Sequence, residues 1–343
     1  MRAMYSGISG MKVNQTRLDV IGNNIANVGT TAFKGSRARF EDSLSQAERA
    51  ASAPSTSLGG TNAGDVGLGV QLAGIDKMMQ QGNMQPTGRA LDCAVDGNGF
   101  FMVSKGKTVF DESLKVDHAA GKHVIDAKNS TAKSEILFTR DGAFTLDHEG
   151  NLLTSDGYRV MGYSLKSKVG GGEESLKNGR KAGEEVKFVD ASGDLEAVQI
   201  SLKTLKIPEK VDVGGGSFSR VKTFSIDKQG IITAQLEGGK VAALGQIAMA
   251  GFSNPEGLTI KGKNLYSSSV NSGTVTLRTG VGTTGEDNSD AFGAMLQGNL
   301  EMSNVDLAEQ FTDMIVTSRA FQANGKIITT GDELLQDIIN LKR

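Results

Sequence analysis

A hydrolytic triad needs a nucleophile, a base and an orienting acid, and His118, His123 and His148 are the only imidazoles available as the base. None adjoins a Gly-x-Ser-x-Gly elbow, so all three read as surface or turn residues. His118 and His123, with Asp117 and Asp126 nearby, are the one grouping with metal-ligating chemistry. Their spacing matches no standard zinc pattern, and the segment is polar and loop-like. Asp96-Gly97-Asn98-Gly99 opens like a calcium loop, but Phe100 occupies the next ligand position and Lys107 stands where the bidentate acid belongs. A tight turn is expected there. The glycines of Gly64–Gly69 follow neither a dinucleotide fingerprint nor a phosphate loop. Cys93 lies in the apolar alternation Leu91, Cys93, Val95, which suits a small buried side chain rather than a reactive thiol. No catalytic group, cofactor or metal site is expected.

Composition points the same way. The 343 residues favour two or more domains over a single core. With 45 glycines, no tryptophan and 5% aromatics, the chain should be turn-rich and poor in base-stacking surfaces. A net charge of -2 lacks the footprint of a nucleic-acid binder. No apolar run approaches the roughly 20 residues that cross a bilayer, so membrane insertion is not expected. The N-terminus has no apolar stretch of a cleaved leader, so none is expected either.

Hydrophobic periodicity puts helices at the two ends. Met4, Ile8, Met11, Gln15, Leu18, Gly22 and Ile25 alternate by four and three, with Ile21 and Val28 beside them, which predicts a helix from about 3 to 28. Leu307, Phe311, Met314, Ser318, Phe321, Gly325, Ile328, Asp332, Leu335 and Ile339 repeat the spacing, predicting a helix over about 305–341 with Ser303 or Asn304 as N-cap. Residues 1–40 carry six basic groups and one acid, for +5, and residues 304–343 carry four basic groups and six acids, for -2. The two ends should attract. Gly7, Gly10, Gly22, Asn23, Asn24 and Asn27 make the first helix intrinsically weak, so it needs a partner surface, and packing between subunits is the preferred reading.

Between the helices the period falls to two. Phe144–Leu152 and Phe224–Ile232 share one pattern, apolar alternation, then Asp-x-x-Gly, then aliphatic residues, and each predicts a hairpin with its glycine in the left-handed position. Further strands are expected at 99–103, 136–138, 158–163, 198–202, 241–252 and 274–279. Residues 51–69 and 280–289 read as Gly/Ser/Thr linkers, and 164–220, Lys/Glu-rich and bounded by Gly170–Gly172 and Gly214–Gly216, as an inserted domain.

Gly7-Ile8-Ser9-Gly10, Leu18-Asp19-Val20-Ile21-Gly22-Asn23-Asn24-Ile25-Ala26-Asn27 and Thr30-Thr31-Ala32-Phe33-Lys34 resemble the N-terminal signature of the bacterial flagellar rod and hook family. Ser303–Leu307, Met314–Val316, Arg319–Asn324 and Ile338–Arg343 agree at the other end, as do Asp96–Phe101 and Thr139–Phe144 in the middle. Residues 111–135 and 164–220 carry no such likeness. Val241–Leu258 looks like the hook version of the returning β-domain.

The resemblance implies a structural subunit of the flagellar hook, a flexible tubular joint between rod and filament, with a distal rod or other axial basal-body protein as the alternative. It implies self-polymerisation and export without a cleaved signal through the flagellar type III apparatus. Rod, hook-cap and hook–filament junction proteins would be its partners. The expected fold is α+β and multidomain. Residues 1–30 with 304–343 would form a coiled-coil-like helical inner domain, 31–75 with 280–303 a connecting region, 76–163 with 221–279 a β-rich domain, and 164–220 a small outer β-domain. The residues expected at the assembly interface are Met4, Ile8, Met11, Leu18, Ile21, Asn23, Asn24, Ile25 and Asn27, with Leu307, Phe311, Met314, Phe321, Ile328, Leu335 and Ile339.

Overall fold

A computed structural model describes residues 2–54, 59–105, 114–117, 124–125, 135–168, 174–176, 186–213, 217–282, 288 and 291–341. His118, His123, Asp126, Lys107 and the two triple-glycine runs lie outside them. The chain divides into a helical unit (Met1–Thr30, Lys34–Gln80, Ser303–Arg343) and a β unit (Thr31–Phe33, Gln81–Met302).

In the helical unit, α1 spans Arg2–Ala26 and α2 spans Leu307–Leu341. At about 1.5 Å per residue, α2 is roughly 50 Å long. Its N-cap is Asp306, whose carboxylate accepts the amides of Ala308 at 2.8 Å and Glu309 at 3.4 Å. The expected caps lie too early, because Ser303 and Asn304 precede the helix in an extended segment. The helices run antiparallel: Met4 lies against Gly331, Gly10 against Asn324, and Arg17 pairs with Asp313 at 3.1 Å. Beside them β1 (Ser36–Asp42) pairs with β4 (Val70–Lys77), and β2 (Ser45–Arg49) with β3 (Gly64–Gly67). Residues 64–67 are therefore part of a ribbon where composition suggested linker, since backbone pairing with 45–49 satisfies amides that glycine side chains cannot help to order.

The β unit is built on antiparallel ladders around the strand Phe100–Lys105, which pairs with Glu135–Thr139 on one side and with Arg159–Ser167 and Met249–Gly251 on the other. Both faces of that strand are covered. Phe101 and Val103 join an apolar cluster with Cys93, Phe144, Ile232, Leu244 and Met295. Phe100 stacks edge-on against Phe252 and Tyr266. The two expected hairpins form with the same geometry. In each the glycine amide donates 2.8 Å back to the aspartate carbonyl, Gly150 to Asp147 and Gly230 to Asp227, and the glycine φ is near +80°.

The described residues of 164–220 pack into the same core as the rest of the β unit. Leu176, Val186, Leu205, Ile207 and Val211 belong to the same cluster as Cys93 and Phe101, and Leu195–Thr204 pairs with Arg159–Ser167. Among the described residues, the apolar side chains of this Lys/Glu-rich stretch complete the main core.

Candidate assembly surface

The buried positions of the helix pair are few and mostly small or polar, with Val13 and Ile21 the apolar exceptions. The buried positions of α1 are Gly7, Gly10, Val13, Ile21 and Asn24, and those of α2 are Gln310 and Thr317. A Cβ on Gly10 would stand 2.7 Å from the Asn324 amide, and one on Gly7 would only touch Ile328 at 3.4 Å. Gly10 is therefore what lets the helices approach at that level. Arg17 and Asp313 are half-exposed, so their ion pair adds little stability.

Two asparagines tie the ends of the helices to the ribbon. Asn24 Nδ2 donates to Ser36 O at 2.8 Å and to Gln310 Oε1 at 3.0 Å, and its Oδ1 accepts Ser36 N at 2.9 Å. Asn304 Oδ1 accepts Gly35 N at 2.8 Å, and Nδ2 donates to Met78 O at 2.7 Å and Gln80 O at 3.1 Å. Lys34 is wholly buried, with Nζ donating 2.7 Å to Gln80 O. Sequence reading missed the Lys34 and Asn304 anchors. The available signal was a lysine and an asparagine beside glycine or helix start, types that satisfy bare backbone carbonyls.

Large apolar side chains lie mostly outside this contact. Among the described residues, twenty-one are exposed, and seventeen of these, all but Leu146, Phe218, Ile260 and Val270, fall in the helical unit. Of the residues expected at the interface, Ile8, Leu307, Phe311, Phe321 and Ile339 are exposed. Asn23 is exposed as well; Met4, Met11, Leu18, Ile25, Asn27, Met314, Ile328 and Leu335 are half-buried; Ile21 and Asn24 are buried. A second exposed row on α2, Ile315, Val316, Ile327, Leu334, Ile338 and Leu341, falls between the heptad positions that sequence periodicity emphasised.

The β unit offers no comparable chemistry. His148 sits exposed in the Asp147–Gly150 turn. Cys93 is fully buried, and burial, reinforced by Asp92, pushes its thiol up to about 12. Asp141 is raised by burial against bonds from the Ala143 amide and Thr31 hydroxyl. Gly97 takes a φ of +149° in the expected Asp96–Gly99 turn, and its carbonyl accepts Arg140. Among the described residues, no three His, Cys, Asp or Glu side chains gather at one point. No helix there is long and apolar enough to cross a membrane.

Comparison with known proteins shows the family. Residues 4–34 match the family described as "Flagella basal body rod protein", 128–234 "Flagellar hook protein FlgE/F/G D1 domain", and 296–341 "Flagellar basal body rod FlgEFG protein C-terminal". The flagellar basal-body rod protein FlgG of Bacillus subtilis is 38% identical, with both chains covered completely. The flagellar hook protein FlgE of Borreliella burgdorferi is 31% identical, again over the whole of both chains. The chain belongs to the flagellar hook and rod family. It is a structural component of the flagellum, and no enzymatic family is indicated. A solved flagellar hook protein, FlgE2 of Helicobacter pylori, aligns over 71% of this chain and 44% of its own at 15% identity, with a TM-score of 0.19. The hook and rod family motifs lie at both ends and in the middle of the chain, and the two terminal ones fall on α1 and α2.

Proposed function

We propose that the chain is an axial subunit that polymerises into the flagellar tube through its helical unit. One observation carries this reading: the buried positions described on α1 and α2 are Gly7, Gly10, Val13, Ile21, Asn24, Gln310 and Thr317, while most large apolar side chains of α2, among them Leu307, Phe311, Ile315, Phe321 and Ile339, face solvent. Exposed apolar rows of this extent mark protein–protein contact. In the polymer they would pack against α1 and α2 of neighbouring copies, giving the coiled-coil-like inner domain. The contacts are heterologous, and such contacts build open helical assemblies when rotation does not close.

Within the tube, the hook is one reading, supported by the hook-like stretch Val241–Leu258 on strands Val241–Ile247 and Met249–Gly251 and by the end-to-end alignment with a hook protein. The distal rod is the second reading, favoured by the end-to-end alignment at 38% identity with a rod protein. Export through the type III apparatus, and contacts with rod, hook-cap and junction proteins, follow from either position. Gold-labelled antibody on isolated hook–basal bodies tests the assignment: label along the curved external segment supports the hook, and label confined to the segment between the rings supports the rod. Absence of label from the whole axis, with purified protein that never polymerises, would overturn both.

A further inference from the structure

Arg140 and Glu301 are buried together in the β unit, at 2% and 0% side-chain exposure, with Nη1 3.3 Å from both carboxylate oxygens. Arg140 also donates to Gly97 O and lies 5.1 Å over the Phe100 ring. Glu301 takes the Gly82 amide at 2.8 Å on Oε1 and the Ala32 amide at 2.8 Å on its backbone carbonyl. One carboxylate near the end of the chain therefore neutralises a cation that the middle of the chain has already committed to the core.

The surrounding segment is equally indispensable. Ala294–Gln297 pairs with Cys93–Asp96, and Asn299–Glu301 with Met84–Pro86. Phe292 and Met295 enter the apolar cluster beside Val95 and Phe101. The Gly99 amide donates to Phe292 O, and the Gly298 amide to Asp92 O. Before residues 291–301 are present, strand Cys93–Asp96 lacks its only ladder partner among the described residues, and Arg140 has no counter-charge.

We infer that the Arg140–Glu301 pair is a closing latch: until the C-terminal segment brings Glu301, unpaired Arg140 keeps the β unit open, and formation of the pair closes it. Removing one member of a buried ion pair is far more costly than leaving it unformed in water, so a chain lacking residue 301 would have to keep Arg140 hydrated, and with it Gly97 and Phe100. Chains emerge N-terminus first. A subunit still in transit therefore stays open through most of its length, and closes only when its last strands follow. The inference concerns the β unit alone and stands whether or not the helical unit polymerises as proposed.

Pulsed hydrogen exchange during refolding of the full chain tests this. Amides of Phe101, Val103, Leu137 and Phe138 should gain protection in the same phase as Met295, Leu296 and Leu300. Protection of the first group at least tenfold earlier would overturn the latch. E301Q should slow that shared phase at least tenfold. R140M/E301L, which replaces the pair with apolar side chains of similar length, should let the 101–138 amides become protected in an earlier phase of their own. An unchanged single phase in R140M/E301L would show that strand pairing alone times closure and would overturn the role given to the charges. If R140M/E301L fails to fold, the order of phases in the unsubstituted chain still decides.

Discussion

The side chains of Asn24 on α1 and Gln310 on α2 meet at 3.0 Å in a buried contact, although 286 residues separate them in the chain. Asn24 spends both of its donors and its acceptor there and at Ser36. A buried polar pair fixes the register of two helices, because sliding by one turn breaks the bond between its members.

Asn24→Leu should accordingly damage the helical unit and spare the β unit. It strands the Ser36 amide and carbonyl and the Gln310 Oε1 acceptor, and each buried group left unsatisfied costs about 1–3 kcal/mol. The critical concentration for polymerisation should rise at least tenfold, with the main thermal transition of the β unit unmoved. An unchanged critical concentration would mean that the Asn24–Gln310 contact does not set the register of the helices.

Charge on the exposed apolar rows should separate folding from assembly. Ile339 is 66% exposed in the single chain, so Ile339→Asp should alter monomer stability by no more than about 0.5 kcal/mol. In a packed tube the same carboxylate would be buried without a partner, at a cost of several kcal/mol. Sedimentation should find Ile339→Asp and Phe321→Asp monomeric at concentrations where the parent chain pellets. Normal pelleting of both would remove α2 from the contact.

The α-then-β-then-α plan was legible because hydrophobic period is a local property: four-three spacing for α1 and α2, alternation for the strands, Asp-x-x-Gly for the two hairpins. The cap of α2 was misjudged by two or three residues, since Ser303, Asn304 and Asp306 are all capping types and only geometry distinguishes them. Partnership across long separations was invisible. Nothing in the stretch around Arg140 announces Glu301, and the composition of 164–220 concealed apolar residues that finish the core of 93–103. The site itself was half-legible. Heptad positions marked which helices carry apolar residues; which of those residues face out is set by tertiary packing, and spacing alone does not contain that.

The two kinds of positive-φ glycine should respond differently to alanine. Gly150 and Gly239 both sit near φ +80°, a region costing a non-glycine residue about 1 kcal/mol. A Cβ on Gly239 meets nothing within 4 Å, whereas one on Gly150 would lie 2.5 Å from Ile207 O, a backbone atom that cannot step aside cheaply. Gly239→Ala should lose about 1 kcal/mol in denaturant unfolding, and Gly150→Ala at least twice as much. Equal losses would show that the backbone at Ile207 relaxes freely.

Cys93 supplies a pH dependence with a definite sign. Its thiol is raised from 9.0 to about 12 in the folded chain because burial, helped by Asp92, disfavours the thiolate. The unfolded chain therefore loses its proton first as pH rises, and between about pH 9 and 12 the native state binds the extra proton. Stability contributed by the neutral thiol is complete below pH 9 and falls through that window, with a limiting slope of about 1.4 kcal/mol per pH unit. Tyr163 and Tyr266 are raised by burial too, so the clean quantity is the difference between the parent chain and Cys93→Ala. That difference should be constant from pH 6 to 8.5, where only the packing loss of the smaller side chain is felt, and should shrink above pH 9 as the parent loses what the variant never had. In the same range the native thiol should resist alkylation at pH 8 and react fully once the chain is unfolded. A difference that stays flat to pH 11, or prompt alkylation of the folded chain, would place Cys93 in contact with water and contradict its burial in the apolar cluster of the β unit.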